Sequence, residues 1–165
     1  IYKLEAVRKP KSVPGRLQEA DPGDRELLQE WYTAFHREAL GEEQFPEKIR
    51  KQVENFLTSD PGQRGLRVWK VKDQLVSMAG YSGPTPHGIR VGAVYTPPQH
   101  RKKGYASACV AALSQELLDE GFSFSFLFTD LQTPTSNQIY QEIGYRPVGD
   151  VDTYRFYPLA SKADS

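Results

Sequence analysis

The chain has 165 residues, 21 of them basic and 21 acidic, so its formal net charge at pH 7 is zero. This length fits one domain that buries its own core, and the balanced charge argues against a surface built for nucleic acid or an anionic membrane. The single Cys109 cannot form an internal disulfide, and no apolar run resembles a membrane span or a signal peptide. We therefore expect a cytoplasmic protein.

The first residues have the composition of a linker. Residues 9–15 read KPKSVPG, and the chain starts at Ile1 rather than at Met. Proline, serine and glycine in such a stretch disfavour regular structure. We expect residues 1–14 to be a linker or tail from a possible upstream domain in the same polypeptide, and residues 15–165 to form one domain.

A short strand and two helices are predicted next. The strand covers residues 16–20, and DPGD at residues 21–24 supplies turn and N-cap chemistry for a helix. Apolar side chains recur at helical spacing in this helix: Leu27, Leu28, Trp31 and Phe35. Pro46 suits the first turn of a second helix, which ends at the DPG turn of residues 60–62.

Strands are predicted in the middle of the chain. LRVWKV at residues 66–71 and QLVSMAGYS at residues 74–82 flank a Lys-Asp turn, which indicates an antiparallel hairpin. Alternating side chains predict a third strand over residues 89–95. The two prolines that follow end this strand, because proline has no N–H to donate.

The second half of the chain alternates helices with strands. The predicted elements are a helix from residue 103 to Gly121, a strand over residues 122–129, a helix over residues 135–143, and closing strands over residues 145–148 and 153–157. This order predicts an α/β fold with a mixed, largely antiparallel sheet and helices on both faces.

A basic loop follows the strand over residues 89–95. It contains Arg101, Lys102, Lys103 and Gly104. A helix that begins here presents unpaired N–H groups and the positive end of its dipole, and glycine leaves room for close approach. The arrangement is typical of a pyrophosphate site, although a solvated basic loop explains the same residues. The spacings of the P-loop and of the dinucleotide-binding glycine turn are both absent from the sequence.

Two motifs resemble those of the GNAT superfamily of N-acetyltransferases, which bind acetyl-coenzyme A. RKKGYA at residues 101–106 resembles the Arg/Gln-x-x-Gly-x-Gly/Ala signature. NQIYQEIGY at residues 137–145 resembles the second motif, a short helix with a tyrosine before a Gly-aromatic pair. The resemblance covers about residues 16–158 and is strongest with a bacterial branch in which the GNAT domain follows another domain. It implies the GNAT fold.

The resemblance also implies which residues bind acetyl-CoA, the expected cosubstrate. The backbone of Val94, Tyr95 and Thr96 would pair with the pantetheine arm, and a backbone N–H near Tyr95 would stabilise the oxyanion. This strand is expected to splay from the strand over residues 122–129, so that the thioester enters the opening. The expected pyrophosphate loop consists of Lys102, Lys103, Gly104, Tyr105, Ala106 and Ser107. Arg101 occupies the first position of the signature and is also expected to contribute to cofactor binding.

The second motif carries the remaining implied roles. Tyr140 matches the superfamily's general acid, since a phenol that is protonated at neutral pH can give the departing thiolate its proton. An ordinary core tyrosine is the alternative. Thr133 stands where the superfamily often has Asn, and Asn137 in the same loop could substitute. Both are candidates for a contact with the pantetheine arm.

A base for the attacking amine is not evident. The strand over residues 89–96 has no glutamate, where many relatives carry one. Asp130 and Glu38 could serve, but each is also explained as a surface or capping carboxylate. Glutamates cluster near the end of the first helix: Glu38, Glu42, Glu43 and Glu47. They favour a cationic acceptor or mark a solvated helix end.

The leading hypothesis is an acetyl-CoA-dependent N-acetyltransferase that acetylates a primary amine of an unidentified acceptor by direct attack in a ternary complex. The alternative is a non-catalytic acyl-CoA-binding or regulatory module. His36, His87 and His100 lack metal-ligand spacing, so no metal is implied. Neither a nucleic-acid nor a membrane partner is expected.

Overall fold

The computed structural model describes residues 1–154 and residue 156. Within these residues, seven strands form one sheet on which four α-helices pack. The strands are β1 (Tyr2–Leu4), β2 (Arg16–Glu19), β3 (Arg64–Val71), β4 (Gln74–Ser82), β5 (Gly88–Tyr95), β6 (Phe124–Leu127) and β7 (Arg146–Pro147). The helices are α1 (Arg25–Ala39), α2 (Pro46–Thr58), α3 (Tyr105–Asp119) and α4 (Pro134–Glu142).

The sheet is mixed. Its strands lie in the order β2-β3-β4-β5-β6-β1-β7. Neighbouring strands are antiparallel except β5 and β6, which run parallel. The α1 and α2 helices pack on one face, and α3 and the end of α4 pack on the other. The predicted fold, a mixed and largely antiparallel sheet with helices on both faces, is confirmed.

A hydrophobic core lies under each helical layer. Leu28 of α1 and Val53 of α2 pack with Met78 of β4, and all three are fully buried. On the other face, Leu113 of α3 packs with Tyr145, which follows α4. Because this second core holds α3 against the sheet, it fixes the start of that helix beside the end of β5.

The N-terminal strand differs from the prediction. Residues 2–4, predicted as part of a linker, form β1 between β6 and β7, with Tyr2 opposite Leu127. Tyr2 and Leu4 are buried in the core on the α3 side. Three residues are too few to show strand periodicity, and their partners lie in the second half of the chain. The linker prediction is therefore wrong for these residues, while the upstream domain stays a prediction.

The remaining differences concern the ends of elements. The strand β2, the helices α1 and α2, and the β3–β4 hairpin lie where they were predicted. The predicted strand over residues 122–129 is reduced to the four residues of β6. The first closing strand is reduced to the two residues of β7. The second, over residues 153–157, falls partly outside the described residues.

Candidate active site

The strands β5 and β6 part along their length. They are in register from Gly88, opposite Phe124, to Arg90, opposite Phe126. No registered pair follows, although β5 continues to Tyr95. Residues 91–95 therefore lack a strand partner on the β6 side, and such an edge can accept an extended ligand as an added strand. We call this opening the gap.

A bulge in β5 lies beside the gap. Gly80 of β4 is opposite Gly92, and Met78 is opposite Tyr95, so β5 has one extra residue between these pairs. Ala93 has a φ of +49°, which is uncommon for a residue other than glycine. A bulge of this kind removes N–H groups from the regular ladder. The bulge was not predicted from the sequence, where the glycine inside the strand is the signal that could have indicated it.

The side chains near the bulge are engaged in packing and hydrogen bonds. Val94 packs against the core on the α3 side. Tyr95 is buried on the α1 side, where its ring centroid lies 6.2 Å from that of Trp31. The Oγ1 of Thr96 lies 2.8 Å from the Oγ of Ser77. A ligand in the gap therefore meets mainly the backbone of these residues.

The basic loop begins α3 with unpaired N–H groups. Gly104 is the N-cap residue, with a left-handed φ of +82°, and Lys102 has a φ of +60°. The N–H groups of residues 102–107 form no backbone hydrogen bond with a described residue, and the first that does belongs to Ala108, 3.0 Å from the carbonyl oxygen of Gly104. The loop and first turn contain Lys102, Lys103, Gly104, Tyr105, Ala106 and Ser107. Such an N–H cluster binds anions.

Arg101 has a different position from the rest of the loop. Its Nε donates to the carbonyl oxygen of Thr96 at 2.9 Å, and its guanidinium pairs with the carboxylate of Glu38 on α1. The guanidinium also lies over the ring of Tyr95, 5.8 Å from the centroid. Arg101 thus fastens the loop to β5 and α1. Glu38, a candidate base, is held in this ion pair.

Tyr140 lies on α4 beside the core on the α3 side. Its ring packs edge-on against that of Tyr145, with centroids 6.1 Å apart. The Tyr145 hydroxyl lies 2.8 Å from the Oγ of Ser114 and 2.9 Å from that of Ser125, whereas the Tyr140 hydroxyl bonds no described residue. Burial, with a contribution from Tyr145, raises the pKa of Tyr140 to about 12. The phenol is therefore protonated at neutral pH and free to donate.

The two candidates for a pantetheine contact hold the loop before α4. The Oγ1 of Thr133 and the Nδ2 of Asn137 both donate to the carbonyl oxygen of Asp130, at 2.8 and 3.0 Å. Asn137 also accepts a hydrogen bond from Thr129 at 2.8 Å. The Asp130 carboxylate accepts from the N–H of Gln132, so it is engaged in a turn. Asn137 keeps one amide hydrogen for a ligand.

The buried cysteine is not a nucleophile. Cys109 is fully buried in α3, and burial raises the pKa of its thiol to about 12. The thiolate is therefore scarce at neutral pH. Among the described residues, no group of three or more His, Cys, Asp or Glu side chains is arranged to hold a metal ion. None of the described helices is long and apolar enough to cross a bilayer.

Solved structures of acetyltransferases share this fold. A protein described as an acetyltransferase from Agrobacterium tumefaciens strain C58 has 18% identity and a TM-score of 0.71, with 86% of this chain and 99% of that chain covered. Aminoglycoside N-acetyltransferase AAC(6')-Iy in complex with CoA has 13% identity and a TM-score of 0.71, with 90% of this chain and 99% of that chain covered. RimL, a ribosomal α-N-protein acetyltransferase in complex with coenzyme A, has 17% identity and a TM-score of 0.64, with 80% of this chain and 80% of that chain covered.

Sequence comparison identifies the family. No curated protein matches the chain. The model of the acetyltransferase (GNAT) family, however, matches residues 25–145, a range that includes the gap, the basic loop and Tyr140. The chain therefore belongs to the GNAT acetyltransferase family.

Proposed function

We propose that this protein transfers the acetyl group of acetyl-CoA to a primary amine by direct attack in a ternary complex. The gap between β5 and β6, with the bulged edge of β5 beside it, is the observation that carries the proposal. Family membership supports acyl transfer in general. Two structures of similar fold, the aminoglycoside N-acetyltransferase and RimL, contain CoA. Their named acceptors differ from one another, so the family does not dictate the acceptor.

The free edge of β5 would bind the pantetheine arm. The N–H and C=O groups of residues 91–95 that face the gap lack a strand partner, and the amides of pantetheine are suited to pair with them. We assign this contact to the backbone of Val94, Tyr95 and Thr96. On the α4 side, Asn137 is a better candidate than Thr133 for a further hydrogen bond, because it has an amide hydrogen to spare.

The N terminus of α3 would bind the pyrophosphate. The N–H groups of residues 102–107 are available, and Gly104 leaves the backbone accessible. Lys102 and Lys103 are exposed and add positive potential. Arg101 acts through the shape of the loop, since its own charge is paired with that of Glu38.

Two groups would stabilise the reacting atoms. An N–H released by the bulge near Ala93 would donate to the oxyanion that forms when the amine attacks the thioester carbon. The Tyr140 phenol would then protonate the sulfur as the C–S bond breaks. Since Glu38 and Asp130 are both engaged, we assign the loss of the amine proton to solvent.

Direct transfer is favoured over an acetyl-enzyme. The only cysteine, Cys109, is fully buried, and its raised thiol pKa keeps it protonated. A two-step route through a thioester on the protein would need an accessible thiolate. We therefore expect the acetyl group to move once, from sulfur to nitrogen.

A second function is favoured by one observation. The candidate base Glu38 is ion-paired and the β5 strand has no glutamate, as expected of a module that binds acyl-CoA without turning it over. Calorimetric titration with acetyl-CoA, followed by a thiol-release assay with a panel of primary amines, separates the two. We expect binding and amine-dependent release. Binding with no release on any amine would support the non-catalytic module.

A further inference from the structure

A row of side chains crosses the sheet next to the gap. Through the strand registers, six residues of six neighbouring strands fall in one line: Arg64, Ser82, Arg90, Phe126, Lys3 and Arg146. Residues opposite one another in paired strands point to the same face. Four of these six residues are cationic. We call this line the basic row.

The basic row lies on the face that carries α1 and α2. Tyr2 and Leu4, on either side of Lys3, are buried in the core of the opposite face, as is Leu127 beside Phe126. Because successive residues of a strand alternate between faces, Lys3 and Phe126 point to the α1 side. The same alternation places Arg90 between Ile89 and Val91, which belong to the opposite core.

An aromatic stripe runs beside the basic row. Along β6 and just after it, Phe124, Phe126 and Phe128 follow one another with centroid distances of 6.3 and 6.2 Å. Phe128 is 49% exposed. Lys3 Nζ lies 4.5 Å from the Phe124 ring centroid, and the Arg90 guanidinium lies 5.5 Å from that of Phe128. The cations are thus held over aromatic faces.

The arginines of the basic row lack carboxylate partners. Arg64, Arg90 and Arg146 form no ion pair with a described residue, and Lys3 pairs only with the exposed Glu5. Arg25, Arg67 and Arg101, which lie outside the row, are paired with glutamates. In a chain of zero formal net charge, this part of the sheet face is therefore locally positive.

Arg90 stands at the mouth of the gap. Arg90 and Phe126 are the last registered pair before the strands part. Gly92 is the next β5 residue on the same face, and a Cβ placed there would meet only the Arg90 guanidinium, at 3.8 and 3.9 Å. The Arg90 guanidinium therefore extends over Gly92, in the part of β5 that lacks a strand partner. Burial raises the pKa of Tyr32 of α1, and the charges of Arg90 and Arg64 oppose this rise, so Tyr32 lies near these two arginines.

We infer that the basic row and the aromatic stripe select an acceptor whose amine is joined to an anionic group, a carboxylate or a phosphate, through an apolar or aromatic body. Arg90 is the specificity-determining residue, because it belongs to the last registered pair before the gap and its guanidinium extends over Gly92, where β5 has no partner. The inference rests on the proposed function, since it requires the amine to enter the gap from this face. The glutamates near the end of α1, which were expected to favour a cationic acceptor, are less suited to bind the acceptor, because Glu38 is paired with Arg101.

A matched set of amines tests the inference. Four compounds share an aromatic ring and a primary amine and differ in the group on the opposite side of the ring. They are 4-(aminomethyl)benzoate, its neutral carboxamide, the cationic 1,4-bis(aminomethyl)benzene and the corresponding phosphonate. Thiol release from acetyl-CoA gives kcat/KM for each, and ligand-observed NMR gives binding of each to the CoA-saturated protein. The variants are Arg90→Gln, Arg90→Lys and, as control, Arg50→Gln, which changes an exposed arginine on α2.

We expect the carboxylate or the phosphonate to exceed the carboxamide about tenfold in binding and in kcat/KM, the usual scale of one charge-assisted hydrogen bond. The better of the two identifies the anion. Arg90→Gln should bring this ratio close to one, Arg90→Lys should keep part of it, and Arg50→Gln should leave it unchanged. Thermal melting confirms that the variants are folded.

The outcomes separate the inference from the proposed function. An anion preference in binding that depends on Arg90, without thiol release on any amine, supports the inference and contradicts the enzymatic proposal. Equal binding of the four ligands, preference for the cation, no binding of any ligand, or a preference that survives Arg90→Gln each overturns the inference, whether or not an amine is acetylated.

Discussion

Two neighbouring tyrosines have different roles at the residue scale. The Tyr145 hydroxyl is held by Ser114 and Ser125, whereas the Tyr140 hydroxyl has no described partner. Tyr145→Phe should therefore destabilise the fold by about 1–3 kcal/mol, because two buried hydroxyls lose their partner, and should change turnover per folded molecule little. Urea unfolding and thiol release measure the two effects. A large loss of turnover without a loss of stability would mean that Tyr145, and not Tyr140, serves the reaction.

The raised pKa of Tyr140 predicts the shape of the pH profile. Because burial raises this pKa to about 12, the phenol remains protonated up to about pH 11 and its titration gives no falling limb below that value. Turnover should rise with pH as the attacking amine loses its proton, and then level off. A falling limb centred below about pH 9 that disappears in Tyr140→Phe would be inconsistent with this assignment.

His36 predicts a loss of stability in mild acid. It is 7% exposed, neither ring nitrogen has a hydrogen-bond partner among the described residues, and burial lowers its pKa below the ordinary value of 6.5, although Glu42 partly opposes this. The unfolded chain therefore binds the proton more readily than the folded chain. The free energy of unfolding has its full value above about pH 6.5 and falls as the pH drops below that value. His36→Phe, which keeps an aromatic ring beside Tyr32, should weaken this dependence. Melting temperatures from pH 5 to 8 test it, and an unchanged slope in the variant would exclude His36 as the cause.

At the scale of elements, the start of α3 should control cofactor binding through its backbone. Gly104→Val forces a β-branched residue into φ +82° and brings its Cβ to 3.0 Å from the Val13 side chain, so the loop is strained and Val13 must give way. We expect acetyl-CoA affinity to fall by at least about tenfold, whereas Lys102→Ala should cost about two- to threefold and less at high salt. Calorimetry gives both affinities. Equal losses in the two variants at physiological salt would indicate that side-chain charge holds the cofactor.

Elements with strong local signals could be predicted from the sequence, and short ones could not. The helices α1 and α2 and the β3–β4 hairpin carry caps, turns and periodicity within their own residues. The strands β1 and β7 have three and two residues, so their pairing depends on partners elsewhere in the chain. The bulge at Ala93 depends likewise on the register of two strands.

At the scale of the whole molecule, β1 should be an integral part of the fold. Leu4 is 1% exposed in the core on the α3 side. Leu4→Ala should lower the free energy of unfolding by about 2–5 kcal/mol. Glu5→Ala, which removes only an exposed pair with Lys3, should change it by less than about 1 kcal/mol. Urea denaturation compares them, and equal effects would show that β1 does not belong to the cooperative unit.

The motifs of the candidate site could be predicted from the sequence, whereas much of its geometry could not. The basic loop and Tyr140 stand in contiguous sequence patterns, so both were identified without the structure. The basic row was not, because its members come from six strands and meet only through the sheet. The ion pair of Arg101 with Glu38 likewise joins distant segments.

The sharpest test of direct transfer with Tyr140 as the acid compares the parent protein with Tyr140→Phe. For each protein, amine-dependent release of CoA and the affinity for acetyl-CoA are measured. The substitution keeps the ring and its packing against Tyr145 and removes only the proton. We predict a fall in kcat of about 10²-fold or more, with acetyl-CoA affinity and melting temperature unchanged. A folded variant that turns over at the parent's rate, or one that is slower only because acetyl-CoA no longer binds, would contradict the assignment of Tyr140 as the acid.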